Sequence, residues 1–322
     1  MAGAHGKNQR MMTAANDSLL IVGTGAMACL FAARLAEAGM PFKILGNWSE
    51  GTQALQLHGV RLLEADNREK AYPVVATRHI EDCRGTSFAL VLVKSWQTER
   101  TARQLAECLA PDGLALTLQN GLGNREVLAK ELGTRRVALG VTTLGANLIS
   151  PGQVRPAGEG VTTLNAHPRL APLADLLRSA SFLVEYSPDA NGLLWGKLVI
   201  NAAINPLTAL LGVPNGELLT RPTARALMAA AAREAAAVAV ANGIVLPFPD
   251  PVVAVESIAQ RTATNISSML QDVLRGAPTE IDVISGAIVQ ASTRMGLPTP
   301  VNRTLWQLIK ALSGKGTGTH KR

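Results

Sequence analysis

Residues 18–28 read Ser-Leu-Leu-Ile-Val-Gly-Thr-Gly-Ala-Met-Ala, and their order decides the fold of the chain around them. The apolar run 18–22 is too short for a helix and is bounded by glycine, so it reads as a buried strand. Gly23-Thr24-Gly25-Ala26-Met27-Ala28 follows at once and opens a helical pattern, 26–38, that closes at Gly39. Strand, glycine turn and helix in this order is the context in which a G-x-G-x-x-A pattern binds a dinucleotide. The first glycine makes the tight turn, the second lets backbone amides approach a pyrophosphate, and alanine at the third position permits close helix–strand packing. The helix N-terminus adds unpaired N–H groups and a favourable dipole. A plain glycine turn is the bland alternative.

Working outward, the pattern repeats. A second strand is expected at 42–45 and further strands at 88–93, 114–118 and 137–141, with a helix over 98–110. Alternation at this spacing implies a Rossmann-type doubly wound parallel sheet with helices on both faces. Segments 152–156 and 160–164 read instead as an antiparallel pair appended to that sheet. Beyond about residue 188 strand signals stop. Segments 191–211, 223–242 and 250–261 are helical in pattern, and more helix follows to about 312. The fold class is therefore α/β with an all-helical C-terminal domain. The expected organisation is a disordered extension 1–17, a dinucleotide-binding domain 18–187, a helical substrate and catalytic domain 188–314 and a basic tail 315–322.

Composition narrows the function. Of the 322 residues, 47% are hydrophobic and 17% charged, which supports a large core and excludes global disorder. Aromatic residues are only 3%, so packing relies on small aliphatic side chains. Residues 1–17 lack the apolar run of a secretory signal, and 198–216, the longest uncharged stretch, is broken by Asn201, Asn205 and Pro206. The chain reads as soluble and cytoplasmic, with no membrane partner. Its formal charge is +7, but Lys310, Lys315, Lys321 and Arg322 lie in the last 13 residues with no acid among them. The body is nearly neutral and has no basic cluster interleaved with aromatics, so a nucleic-acid partner is not expected. Cys29, Cys83 and Cys108 are too widely spaced for a metal motif, and the five histidines are scattered, so no metal site is expected.

Polar residues at strand ends mark where a parallel sheet places ligands. After the second strand come Gly46-Asn47-Trp48-Ser49-Glu50, with neither the acid that holds a ribose hydroxyl nor the arginine that pairs with a 2′-phosphate at the usual place. Lys94-Ser95-Trp96-Gln97 and Gln119-Asn120-Gly121 follow later strands. In the helical half, Lys197, Asn201 and Asn205 stack at i, i+4 and i+8 on a helix otherwise built of Leu, Val, Ile and Ala. Such a stripe faces water or a ligand, because an unpartnered buried lysine is costly; a snorkelling surface lysine is the alternative. Asn265-Ile266-Ser267-Ser268 with Asp272 forms a second polar stripe. In Thr279-Glu280-Ile281-Asp282, Thr279 also fits a helix cap and Glu280 a first-turn carboxylate.

Taken together and in this order, these motifs resemble the ketopantoate reductase (2-dehydropantoate 2-reductase) family over residues 18 to about 312. Further motifs that carry the likeness are Trp195-Gly196-Lys197-Leu198, Asn205-Pro206-Leu207-Thr208-Ala209, Pro214-Asn215-Gly216-Glu217-Leu218 and Ser268-Met269-Leu270-Gln271-Asp272. The resemblance implies NADPH-dependent reduction of ketopantoate to D-pantoate, a step toward pantothenate and coenzyme A. It implies that Lys197 is the general acid and that Glu280 bonds the substrate hydroxyl and orients the lysine. Asn201, Asn205, Asn215 and Ser268 would position the substrate, and Asn120 would touch both substrate and nicotinamide. Gly23, Thr24, Gly25, Ala26, Met27, Ala28, Asn47, Lys94, Gln97, Ala146 and Glu280 would lie on the cofactor side. Asn47 stands where many members carry an arginine for the 2′-phosphate, which leaves NADH as the alternative cofactor. Two further functions fit the same residues: a reductase of another branched 2-keto acid, and a non-catalytic dinucleotide sensor. A monomer or a homodimer is equally compatible with the resemblance.

Overall fold

The computed structural model describes residues 18–313, so the expectations for 1–17 and for the tail from 315 lie outside the described residues. The chain forms two compact units. Among the described residues, one comprises 18–93, Gln97–Leu118 and Arg125–Ser187, and the other comprises Lys94–Trp96, Gln119–Asn124 and 188–313.

The first unit follows the order β1 (Leu19–Val22), α1 (Ala26–Glu37), β2 (Phe42–Leu45), α2 (Ser49–His58), β3 (Val60–Leu63), β4 (Glu69–Tyr72), β5 (Val75–Thr77) and β6 (Thr86–Val91). It continues through α3 (Thr98–Cys108), β7 (Leu109–Thr117), α4 (Asn124–Leu132), β8 (Val137–Thr142), β9 (Ala146–Ser150), β10 (Gln153–Pro156), β11 (Val161–Asn165), α5 (Ala171–Ser179) and β12 (Leu183–Ser187). Eight strands form one sheet in the order β12-β11-β8-β7-β6-β1-β2-β5. All neighbours in it are parallel except β11 against β8. The run β5-β2-β1-β6-β7-β8 has the strand order of a Rossmann sheet, with the switch point at β1. β1 and β8 are buried at every residue, as strands covered on both faces must be.

A second, four-stranded sheet, β4-β3-β10-β9, stands beside the expected one. Helix α1 packs against both β1 and the strands of this small sheet, which explains why Ala28 through Ala33 and Leu35 are all buried. The expected antiparallel pairing of 152–156 with 160–164 is not formed. β10 instead pairs antiparallel with β9 and parallel with β3, whereas β11 pairs antiparallel with β8 and parallel with β12. Each of the two segments thus finds partners in a different sheet, because both sheets offer open edges that bury more backbone than a lone hairpin would. The helix expected over 98–110 ends at Cys108, since β7 begins at Leu109.

The second unit is helical, with no strand among its described residues: α6 (Ala190–Leu211), α7 (Glu217–Thr220), α8 (Pro222–Ala241), α9 (Pro251–Arg261), α10 (Ser268–Leu274), α11 (Ala287–Arg294) and α12 (Pro300–Ser313). Asp189 starts α6 by accepting a hydrogen bond from Gly192 N at 2.8 Å. By length and composition α6 would pass as a membrane span, yet it is the central helix of this unit, packed by α8, α9, α10 and α12. Ala231, Ala232, Ala235 and Ala239 of α8 are fully buried, and their small side chains allow the close approach that so few aromatics require. Thr279 does not cap the following helix; its Oγ1 is buried without a partner, and the chain enters α11 through a π-helical turn, Asp282–Gly286.

Candidate active site

In the first unit the glycine motif adopts the geometry its residues dictate. Gly23 has φ +126°, and a Cβ there would lie 3.2 Å from the carbonyl carbon and oxygen of Leu92, so only glycine closes the turn beside β6. Gly25 occupies the cap of α1 with no side-chain cap bond, and nothing lies within 4 Å of where its Cβ would be. An open space in front of a helix start with no acidic residue in its first turn fits an anionic pyrophosphate. Thr24 and Ala28 are buried behind this cradle, and Gly25, Ala26 and Met27 are half-buried at it. Asn47, at the end of β2, exchanges a reciprocal pair of hydrogen bonds with Gln104 of α3, both at 3.2 Å. Gln97 stands half-buried at the cap of α3, and Ala146 opens β9 in the small sheet.

The second unit gathers three of the expected residues, Lys94, Asn120 and Lys197, around a fourth, the carboxylate of Glu280. Glu280 is 5% exposed. Its Oε1 accepts from the backbone N–H of Ser95 at 3.1 Å and its Oε2 from Asn120 Nδ2 at 3.2 Å. Lys94 Nζ lies 3.7 Å from the same Oε2 and donates to Asp272 Oδ2 at 2.6 Å. Asp272, also buried, accepts in addition from Arg275 at 3.2 Å. The titration of Lys94 is set by burial and by the two carboxylates beside it. Burial alone would depress Lys94, but Glu280 and Asp272 outweigh it and hold its pKa above the ordinary value. Burial raises Asp272, and Lys94 offsets only part of that rise.

The loop carrying Asn120 is pinned from two sides. Leu122 N donates to Val283 O of the π-helical turn at 3.0 Å, and Asn124 Nδ2 donates to Asn120 O at 2.8 Å. Lys197 sits on α6, one and two turns before Asn201 and Asn205. Burial lowers its pKa from 10.5 to about 8, while the negative charge of Glu280 acts in the opposite direction. The group can thus give up a proton near neutral pH and still be largely charged there.

The remaining expected substrate residues are placed differently. Asn205 is buried and Asn201 half-buried on α6. Asn215 donates through Nδ2 to Thr262 Oγ1 at 2.9 Å and through its backbone to Asn265 O, which ties its loop to the end of α9. Ser268, the first residue of α10, is exposed, whereas its neighbour Ser267 is the buried cap, accepting from Leu270 N and bonded to Thr208 at 2.7 Å. The sequence marks Asp272 only as part of a polar stripe; its role as the direct partner of Lys94 depends on a contact 178 residues distant in sequence. A lysine after one strand and a lone aspartate in an apolar helix were the available signal.

The chain matches two family descriptions that together span nearly all described residues. Residues 19–169 match "Ketopantoate reductase PanE/ApbA", and residues 189–313 match "Ketopantoate reductase PanE/ApbA C terminal". It is 37% identical to a 2-dehydropantoate 2-reductase of Archaeoglobus fulgidus over 297 residues, covering 91% of this chain and 96% of that one. With the Vibrio cholerae 2-dehydropantoate 2-reductase it shares 32% identity, covering 92% of this chain and 97% of the other. Among solved structures, a ketopantoate reductase of this family from Ralstonia eutropha superposes with a TM-score of 0.87 at 32% identity, covering 94% of this chain and all of that one. D-mandelate dehydrogenase, solved with NADH and anilino(oxo)acetate, superposes with a TM-score of 0.87 at 25% identity, again covering 94% and 100%. Sheet order, helical second unit, glycine motif and these matches agree: the chain belongs to the ketopantoate reductase family of oxidoreductases.

Proposed function

We propose that the protein reduces the ketone of ketopantoate to the alcohol of D-pantoate, with NADPH as reductant. The observation that carries this reading is the pair formed by Lys197, whose pKa is lowered to about 8, and the buried Glu280, whose charge acts on it. When bound, a reduced nicotinamide supplies hydride to the carbonyl carbon. Lys197 donates a proton to the ketone oxygen as negative charge develops there. Burial favours this transfer, because it leaves a neutral amine in a site where the ammonium is poorly solvated. Glu280 opposes premature loss of that proton, and its own position is fixed by Ser95 N, Asn120 and Lys94. Asn201 and Asn205, on the same helix as Lys197, orient the substrate's hydroxyl and carboxylate, and Ser268 completes its polar surroundings. Asn215 holds the loop after α6. Gly23 to Ala28 receive the pyrophosphate at the start of α1, with Gln97 and Ala146 further along the cofactor. Orientation of the ketone against the reductant and the ammonium supplies a large share of the rate.

A second reading, reduction with NADH, is favoured by one observation: Asn47 is engaged by Gln104 and offers no positive charge at the end of β2. The deciding experiment follows the loss of reduced-nicotinamide absorbance with ketopantoate and either cofactor. Rapid oxidation of NADPH supports the proposal. Oxidation only with another 2-keto acid moves the substrate assignment to that acid, judged by relative kcat/KM. Binding of the cofactor without turnover of any keto acid would sink the enzymatic reading in favour of a sensor.

A further inference from the structure

We propose that Arg78, with Ser49, forms the subsite for the 2′-phosphate of the cofactor and so replaces the missing arginine at the end of β2. The inference rests on the dinucleotide reading above, but not on the identity of the keto acid. Its basis is the sheet register. β5 is the parallel neighbour of β2, with Leu45 opposite Thr77, and Gly46 N donates to Thr77 O at 2.9 Å. Arg78 therefore leaves β5 level with the residues that leave β2, at the carboxyl edge where a Rossmann sheet addresses the adenosine ribose. Its Nη1 donates to Ser49 Oγ at 3.0 Å, across 29 residues of sequence.

Several polar neighbours on the two strands are engaged. Both amide atoms of Asn47 are bonded to Gln104. Lys43, on β2, donates to Asp82 O. Asp82 itself accepts from Thr77 Oγ1 at 2.6 Å. Arg78 is exposed, and its single bond to a neutral hydroxyl is weak enough to exchange for a charged acceptor. A guanidinium presents parallel N–H groups that match two oxygens of a phosphate dianion. Ser49, an acceptor now, can rotate its hydroxyl to donate to a third. Glu50, the next residue, is the competing element: an exposed carboxylate there would favour a ribose bearing a free 2′-hydroxyl.

The test compares binding of 2′,5′-ADP and 5′-AMP, which differ only in the 2′-phosphate, by titration calorimetry of the whole protein. The unaltered chain should bind 2′,5′-ADP about tenfold or more tightly than 5′-AMP, as expected for a charge-assisted pair. Arg78→Gln, an exposed position whose change leaves the core intact, should erase most of that difference and leave 5′-AMP binding as it was. Ser49→Ala should erase a smaller part. Equal binding of the two nucleotides, or a preference that survives Arg78→Gln, overturns the inference and leaves Glu50 in control of the ribose. Failure of both nucleotides to bind overturns the inference together with the dinucleotide reading on which it rests. A phosphate preference that disappears in Arg78→Gln sustains it even if ketopantoate is not reduced.

Discussion

Lys197 is governed by two opposed effects at the scale of one side chain: burial draws its pKa down to about 8, and Glu280 holds it up. If Lys197 is the proton donor, kcat/KM for ketopantoate falls as pH rises through about 8, because the deprotonated amine has nothing to give. Removing the carboxylate in Glu280→Gln takes away the negative charge that raises this pKa. The descending limb of the pH profile should then move to lower pH, an effect that simple loss of structure would not produce. Lys197→Ala should lower kcat by roughly 10²–10⁴-fold while cofactor affinity, read by fluorescence titration, stays nearly constant. Wild-type turnover in that variant refutes the assignment. The same burial has a stability consequence of defined sign. The folded pKa lies below the unfolded value, so between about pH 8 and the ordinary lysine value the unfolded chain binds more protons, and stability contributed by this group rises with pH across that window.

At the scale of elements, α1 and the Asn120 loop carry the largest demands. Phe31 of α1 is fully buried and stacks on Phe182 with ring centroids 4.3 Å apart. Phe31→Ala opens a cavity in the main core, and the loss should be about 3–5 kcal/mol in chemical denaturation. Gly121 has φ +80°, and a Cβ there would lie 2.5 Å from Val283 O, the carbonyl that accepts from Leu122 N. Gly121→Ala must therefore displace the loop from the π-helical turn, and Asn120 with it. The expected cost is about 1–3 kcal/mol of stability, with a fall in kcat/KM larger than any change in cofactor affinity. A variant with unaltered kcat/KM would show that the Asn120–Glu280 bond contributes nothing to turnover. Local sequence carried much of this scale. The glycine pattern, the strand and helix around it and the alanine-rich helix are set by spacings of a few residues, which periodicity reads directly. The π-helical turn Asp282–Gly286 is not legible, because no residue pattern marks a single wide turn within a helical stretch.

For the whole molecule, charge is unevenly spread along the chain. Four of the positive charges in the +7 surplus belong to Lys310, Lys315, Lys321 and Arg322. A chain ending at Ser313, which lacks three of these four charges, should be retained more weakly on a polyanion column at low salt and keep its kcat/KM for ketopantoate within about twofold, since the charge effect is general and screened. Retained binding to nucleic acid after that truncation would point to a surface elsewhere. The division of labour between sequence and fold is clearest at this scale. The sequence by itself determined the βαβ start, the glycine cradle and the parallel character of the main sheet, because each is written in residue type and short-range spacing, whereas Lys94, Asn120, Lys197 and Glu280 became candidates with roles only through the family resemblance that their motifs carry. Only the tertiary structure decided that β10 joins β3 and β9 while β11 joins β8 and β12. It alone placed Asn120 on Glu280, 160 residues away, and Lys94 on Asp272, 178 residues away, and it alone lowered Lys197 to about 8. Strand partners and distant pairs follow from which edges and faces remain to be buried, and a pKa follows from desolvation, neither of which exists until the chain has closed on itself.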